Sequence, residues 1–199
     1  MRMTGRLIYH KESCAPEKHT HLVFHLDHGQ LHFNDQRKFG RFVLMPSDRC
    51  QEYPSLKQLG PEPLAPDFTA RVLGERLAGK RKNLKAALLD QSVLAGLGNI
   101  YTDEALFRAG ISPERTTDSL TAVEVEKLFR AIQEVLIAGI EAQGTSFRDY
   151  RNANGEKGAF QEDLRVYGRG LQPCLHCGGI LAKKKVAGRT TVFCPHCQH

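Results

Sequence analysis

The chain has 199 residues, 41% hydrophobic and 25% charged, with a net charge of +6; one compact domain or two small ones fit such a composition. No apolar run approaches the roughly 18 residues of a membrane helix and no signal-peptide pattern opens the chain, so a membrane partner is not expected and the cytoplasm is the expected compartment. The charge is unevenly placed: from Leu164 to His199 there is no Asp or Glu but there are Arg165, Arg169, Lys183, Lys184, Lys185 and Arg189, leaving 22 basic against 22 acidic residues before them. A basic end on a neutral body fits a polyanion, because clustered Lys and Arg release counterions from a phosphate backbone; a solvated basic tail is the plainer alternative.

Residues 5 to 45 read as strands. In HLVFHLDHGQLHFND two alternating apolar runs flank Asp27-His28-Gly29, a hairpin signal. Alternation puts Leu22, Phe24 and Leu26 on one face and Leu31 and Phe33 on one face of the partner, and GRFVLM predicts a further strand at 40–45. His10, His19, His21, His25, His28 and His32 crowd the region. Their spacing follows strands and turns without a paired motif, so they read as surface or cross-strand histidines rather than ligands. Cys14 and Cys50 read as ordinary thiols of a reducing compartment.

A Pro-rich stretch, PSLKQLGPEPLAPDF, reads as a linker into a helical part. Asp67 is placed to cap a helix over 68–78, Asn83 one over 84–94, and Thr102 a short third helix ended by Gly110. Thr121 with Glu124 forms a capping box, Leu120 with Val125 a hydrophobic staple. Leu128, Phe129, Ile132, Leu136 and Ile140 then keep helical period up to Gly144. The remainder, from SFRDYRNANGEKGAF onward, is loop-like until the cysteines begin.

CLHC and CPHC, sixteen residues apart, put Cys174, Cys177, Cys194 and Cys197 in two C-x-x-C knuckles. Four thiolates so spaced suit one tetrahedral, structural Zn²⁺ with no open position; disulfides or unligated thiols are the alternative. The residues between them read as a β-hairpin turning near Gly188, and His176 and His196 as exposed. In LLDQSVLAGLGNIYTDEALFRAGI two helices meet at a turn with Gly96 and Gly98, which would offer backbone N–H groups and the Asn99 amide to a phosphate. An ordinary helix hairpin is the alternative.

Taken together, LAGLGNIYTDEALFRAGISP, the cysteine module, RMTGRL, DQRKFG and LRVYGRG resemble the formamidopyrimidine-DNA glycosylase family, bacterial base-excision repair enzymes related to endonuclease VIII. The resemblance implies an α+β fold: the remainder of an N-terminal β-sandwich at 1–53, a linker at 54–66, a helix-two-turn-helix domain at 67–163 and a zinc-finger β-hairpin at 164–199. It also implies a bifunctional glycosylase and AP lyase that flips an oxidised purine, 8-oxoguanine or a formamidopyrimidine, out of double-stranded DNA and nicks by β,δ-elimination. Met3, Arg37 and Phe39 match the residues that fill the vacated space; composition alone makes Met3 and Phe39 core residues and Arg37 a surface ion pair. Lys85, Asn99 and Arg189 match phosphate contacts, and Tyr167 matches a segment on the family's DNA surface. RNANGEKGAF, with Gly155 and Gly158, matches the loop over the flipped base, with exposed disorder the alternative. The expected protein is a monomer in the bacterial cytoplasm, on the nucleoid through DNA.

The family's chemistry uses an N-terminal proline amine, which attacks C1′, and a neighbouring Glu. No catalytic residue of that kind is found among these 199. RMTGRL matches the family's central segment, and Met1 stands where the family usually has Leu. The resemblance thus implies a late-starting chain with an unpaired sheet edge, inactive as given. Two other classes of protein remain open: a non-catalytic zinc-containing module that binds damaged DNA, and a zinc ribbon that binds RNA or protein.

Overall fold

The computed structural model describes residues 1, 4–146 and 150–199, so Met3 lies outside the described residues. The chain divides into two units, Met1–Pro46 with Ala138–Asp163, and Ser47–Ile137 with Leu164–His199.

In the first unit β1 (Gly5–His10), β2 (Thr20–His25) and β3 (Gln30–Asp35) form an antiparallel sheet in the order β1-β3-β2. The expected hairpin is present: Leu26 N–H donates to Gly29 O, and Gly29 has φ +83°, a conformation costly for any residue with a Cβ. Pairing of Leu22 with Phe33 and Phe24 with Leu31 puts these side chains on one face, with Leu7 and Tyr9. The opposite face carries Ile8, His10, Gln30, His32, Val23 and His25, and the β1–β2 connection is tied to it. Cys14 N–H donates to Gln30 Oε1 at 3.2 Å, Gln30 Nε2 donates to Ser13 Oγ at 3.1 Å, and Asn34 Nδ2 donates to Lys18 O at 3.0 Å. Gln30, His32 and Asn34 are therefore buried although polar.

GRFVLM is not a strand. Asp35 turns the chain out of β3, accepting the Thr4 hydroxyl at 2.5 Å, Gly40 N–H at 2.8 Å and Arg37 N–H at 3.3 Å. Beyond this turn the chain packs through a ring instead of a ladder: Phe42 lies 4.7 Å from Phe33 and 5.5 Å from Phe24. Further on, Asn152 closes a turn by accepting the N–H groups of Asn154 and Glu156 on Oδ1, and Gly155 takes φ +82°. Gly158 answers to a different need, since a Cβ there would collide with the backbone of Gly144.

The second unit holds α1 (Pro54–Lys57), α2 (Ala70–Leu77), α3 (Leu84–Leu89), α4 (Asn99–Ala109), most of α5 (Ala122–Glu141) and the hairpin β4 (Ala182–Val186)–β5 (Arg189–Phe193). Thr69, not Asp67, caps α2. Asn83 caps α3 as expected, but α3 stops at Leu89 because Asp90 takes the N–H and hydroxyl of Ser92 and so favours a turn. α4 begins at Asn99, after extended Gly98, with Thr102 inside the helix and left-handed Gly110 at its end. The Thr121–Glu124 capping box forms in both directions. Residues 54–66 are held in place: Gly60 N–H donates to Gln91 O, Ala95 N–H to Pro61 O, and Gln133 Nε2 to Pro63 O. The core is apolar, with Leu73, Leu77, Leu84, Leu88, Leu94, Leu97, Leu106, Ile111, Leu128 and Ile132 all buried. Each contributes about 1.5–3 kcal/mol by leaving water. Of the expected α5 stripe, Leu128 and Ile132 enter this core, whereas Ile140 is 65% exposed.

Candidate nucleic-acid interface and zinc centre

The sulfurs of Cys174, Cys177, Cys194 and Cys197 lie within 4.8 Å of one another, with Cys177 Sγ 3.5 Å from Cys194 Sγ. A tetrahedron with Zn–S bonds of about 2.3 Å has an edge of about 3.8 Å, so the four donors fit a single zinc ion and fill its coordination. No disulfide joins them, and both knuckle histidines are exposed. The first knuckle closes through Gly178, at φ +75°, whose N–H donates to Cys174 O. Gln198 anchors the second: its Oε1 accepts Cys194 N–H at 2.9 Å and its Nε2 donates to Ile111 O at 2.9 Å, beyond the end of α4. These cysteines make a structural zinc site.

The hairpin between the knuckles turns through Ala187 and Gly188, both at positive φ, the pattern of a two-residue turn between twisted strands. That turn leaves Arg189 exposed at the tip. The next two residues are gripped from α3 and α4. Lys85 is fully buried, and its Nζ donates to Asp103 Oδ1 at 2.5 Å, Thr191 Oγ1 at 2.7 Å and Thr190 O at 3.4 Å. Asn99 Nδ2 donates to the same Thr190 O at 3.2 Å. Lys85, Asn99 and the tip carrying Arg189 thus meet at one carbonyl. An ammonium group has three protons, and all three of Lys85's have acceptors inside the protein.

Burial pushes the Lys85 ammonium pKa down; Asp103 opposes this, and the Arg189 charge adds to it. The same burial lifts the Asp103 carboxyl to about 6, against the attraction of Lys85. Asp103 also accepts Val192 N–H at 3.3 Å, so one buried pair fastens α3, α4 and β5 together.

Glu104, which sequence reading passes over, has a comparable task. Buried on α4, it accepts the N–H groups of Arg165, Val166 and Tyr167 at 2.9, 3.0 and 2.8 Å. Tyr167 is thereby positioned through its backbone, half-buried. The available signal was the adjacent pair Asp103-Glu104 in an otherwise apolar helix centre, since two carboxylates are buried together only when each has partners. At the helix pair itself, Gly98 has no side chain to cap α4, and Gly96, at φ +79°, is held by Gln91 Oε1 at 2.8 Å.

In the first unit Arg37 and Phe39 lie together, the guanidinium 4.6 Å from the ring centroid, and Phe39 is 53% exposed. Asp35 builds their turn, with Lys38 at φ +56° between them. The Thr4 hydroxyl bond, followed by the Gly40 N–H, lowers the Asp35 carboxyl to about 2.

A helical scaffold whose terminal zinc hairpin presents a basic tip defines a zinc-finger protein with a helix-two-turn-helix. Family models agree along the chain: the formamidopyrimidine-DNA glycosylase N-terminal domain over residues 1–42, the H2TH domain over 59–151, and the zinc finger found in FPG and IleRS over 172–199. The formamidopyrimidine-DNA glycosylase of Desulfitobacterium hafniense is 59% identical over 198 residues, matching all of this chain and 72% of that protein; that of Pelotomaculum thermopropionicum is 49% identical over 199 residues, again all of this chain and 72% of that protein. Lactococcus lactis Fpg in complex with DNA containing an abasic site superposes with a TM-score of 0.89 at 41% identity, over 100% of this chain and 73% of that one. MutM (Fpg) of Thermus thermophilus gives 0.86 at 44%, over 99% and 73%. The chain belongs to the formamidopyrimidine-DNA glycosylase family of DNA repair. Among the described residues no helix is long and apolar enough to cross a membrane.

Proposed function

We propose that the chain acts in base-excision repair as a monomer that grips double-stranded DNA carrying an oxidised purine, within the family's glycosylase and β,δ-elimination chemistry. Arg189 and the start of α4 with Asn99 contact phosphates, and Tyr167 belongs to another segment of the DNA-facing surface. Arg37 and Phe39 enter the space left by the flipped base, the ring restoring stacking and the guanidinium bonding the orphaned partner. Lys85 acts from inside, holding the tip rigid so that Arg189 meets DNA with little ordering cost. The reading rests above all on the meeting of Lys85, Asn99 and the Arg189 tip at Thr190 O.

None of residues 1–199 matches the family's attacking proline or its glutamate, and the roles of these residues are in binding. Affinity for a duplex containing 8-oxoguanine should exceed that for undamaged duplex. Arg189→Ala should weaken binding to all sequences alike and lower the log–log salt slope by about 1. Fluorescence anisotropy across a salt series reads both; an unchanged slope in the variant would overturn the phosphate role. Borohydride trapping on the same duplex should give no covalent product with this chain, and a trapped adduct would restore a Schiff-base nucleophile to it.

A further inference from the structure

Far from the finger in sequence, the sheet of the first unit assembles a second set of soft donors. His10 ends β1 and His32 lies in the middle of β3, and the register places both on the polar face. Their ring centroids are 4.4 Å apart. The tethered β1–β2 connection brings Cys14 to the same place, so the sulfur and one nitrogen of each histidine lie within 4.8 Å of one another. We propose that His10, Cys14 and His32 form a second metal site that takes one zinc ion.

Donor chemistry chooses the ion. One thiolate and two neutral imidazoles suit zinc and its borderline neighbours and disfavour magnesium or calcium, which require oxygen. With Zn–N near 2.0 Å and Zn–S near 2.3 Å, a tetrahedral site needs donors about 3.3–3.5 Å apart, a contraction of at most about 1.5 Å that an exposed cysteine on a connecting segment can supply. Three protein ligands leave the fourth position for water, unlike the closed finger.

Gln30 provides the support such sites require. The Cys14 N–H can only donate, which fixes the oxygen of the Gln30 amide toward it. His32 Nε2, 3.1 Å from that same oxygen, must then carry the proton, leaving Nδ1 with the lone pair. The other end of the amide meets Ser13 Oγ and His25 Nδ1. One glutamine thereby sets the tautomer of one ligand and the position of the segment bearing another. His32 is 2% exposed while Cys14 is exposed and His10 half-buried, so solvent reaches the site from one side. An ion there would clip residues 11–19 onto the sheet.

The test uses the full chain equilibrated with a small excess of zinc and then desalted. Elemental analysis should find two zinc ions per chain, falling to one in Cys14→Ser and in His10→Ala, with the finger's ion retained in both. Cobalt added to protein whose finger already holds zinc should produce a thiolate-to-cobalt charge-transfer band, and Cys14→Ser should abolish it. Zinc should also slow alkylation of Cys14 in the parent chain, and His10→Ala should remove that protection. One zinc per chain without a cobalt band, or a band that survives Cys14→Ser, would overturn the site. Circular dichroism of the variants separates a lost ligand from a lost fold, and Cys14, being exposed, tolerates serine.

Discussion

The two units keep their shape by different means. Among the described residues of the helical and zinc unit twelve leucine and isoleucine side chains are buried, and the few buried charges are paired or saturated, as in Lys85 with Asp103 and Glu104 with three backbone N–H groups. In the sheet unit the described residues bury two phenylalanines, Phe33 and Phe160, and the polar side chains Gln30, His32, Asn34 and Asp35, while Leu22, Phe24, Leu26, Phe42, Val43 and Leu44 are exposed. Apolar burial is non-directional and tolerates small shifts. A polar network is directional, and each buried group left without a partner costs about 1–3 kcal/mol. The contrast suggests that the helical unit fails gradually under mutation, and the sheet unit at particular hydrogen bonds.

The largest separation between the units should come from stripping the finger's zinc. Zinc in such sites contributes apparent free energies of about 10–16 kcal/mol, most of it folding energy. Chelation, or Cys194→Ala, should abolish hydrogen-exchange protection in β4 and β5 and leave β1–β3 protected. Equal loss in both units would mean that the contrast is false.

Next in size is the buried pair. Lys85→Ala leaves Asp103 without its cation and should cost about 3–5 kcal/mol, whereas replacing both residues with apolar ones of similar volume should cost far less. Denaturant unfolding of the two variants checks this, and a double variant as unstable as the single would show that the pair contributes more than its own repair. In the sheet unit Asp35→Asn should cost less in total stability yet release the turn that holds Arg37 and Phe39.

The smallest effect is in pH. Asp35 is held near 2 chiefly by the Thr4 hydroxyl, and Glu124 near 2 chiefly by Arg115. Both contributions are complete above the unfolded values of about 4 and are lost as pH falls toward 2. Asp103 runs the other way. Burial raises its folded value to about 6, so between about 4 and 6 the folded chain keeps a proton the unfolded chain has released, and stability falls as pH rises through that window. Peptide-resolved hydrogen exchange at pH 4, 5 and 6, with rates corrected for pH, should show the decline in α3, α4 and β5 but not in β1–β3. Asp103→Asn should remove it.

Short-range patterns were legible without a fold. The two cysteine knuckles, the Thr121–Glu124 box, the Asn83 cap, the Asp27-His28-Gly29 hairpin and the left-handed Gly110 each depend on residues only a few positions apart, so their chemistry is written in the order of the chain. Element edges were less legible where a local side-chain bond competed with helix or ladder, as Asp90 does at the end of α3 and Asp35 at the end of β3. Family membership was legible for a related reason, since several separated motifs must coincide to produce it.

Long-range burial was decided only in three dimensions. Lys85 and Thr191 are 106 residues apart, and nothing near Lys85 in the chain says that its ammonium faces inward. Glu104 finds its three N–H partners 61 to 63 residues away. His10, Cys14 and His32 lack a motif because sheet register and a tethered connection, not sequence spacing, bring them together. Sequence alone determines which local structures are cheap, because propensity and capping act within a turn or two of the chain. Which polar groups lose their water is settled by tertiary packing, because desolvation depends on everything that surrounds a group, wherever in the chain it comes from.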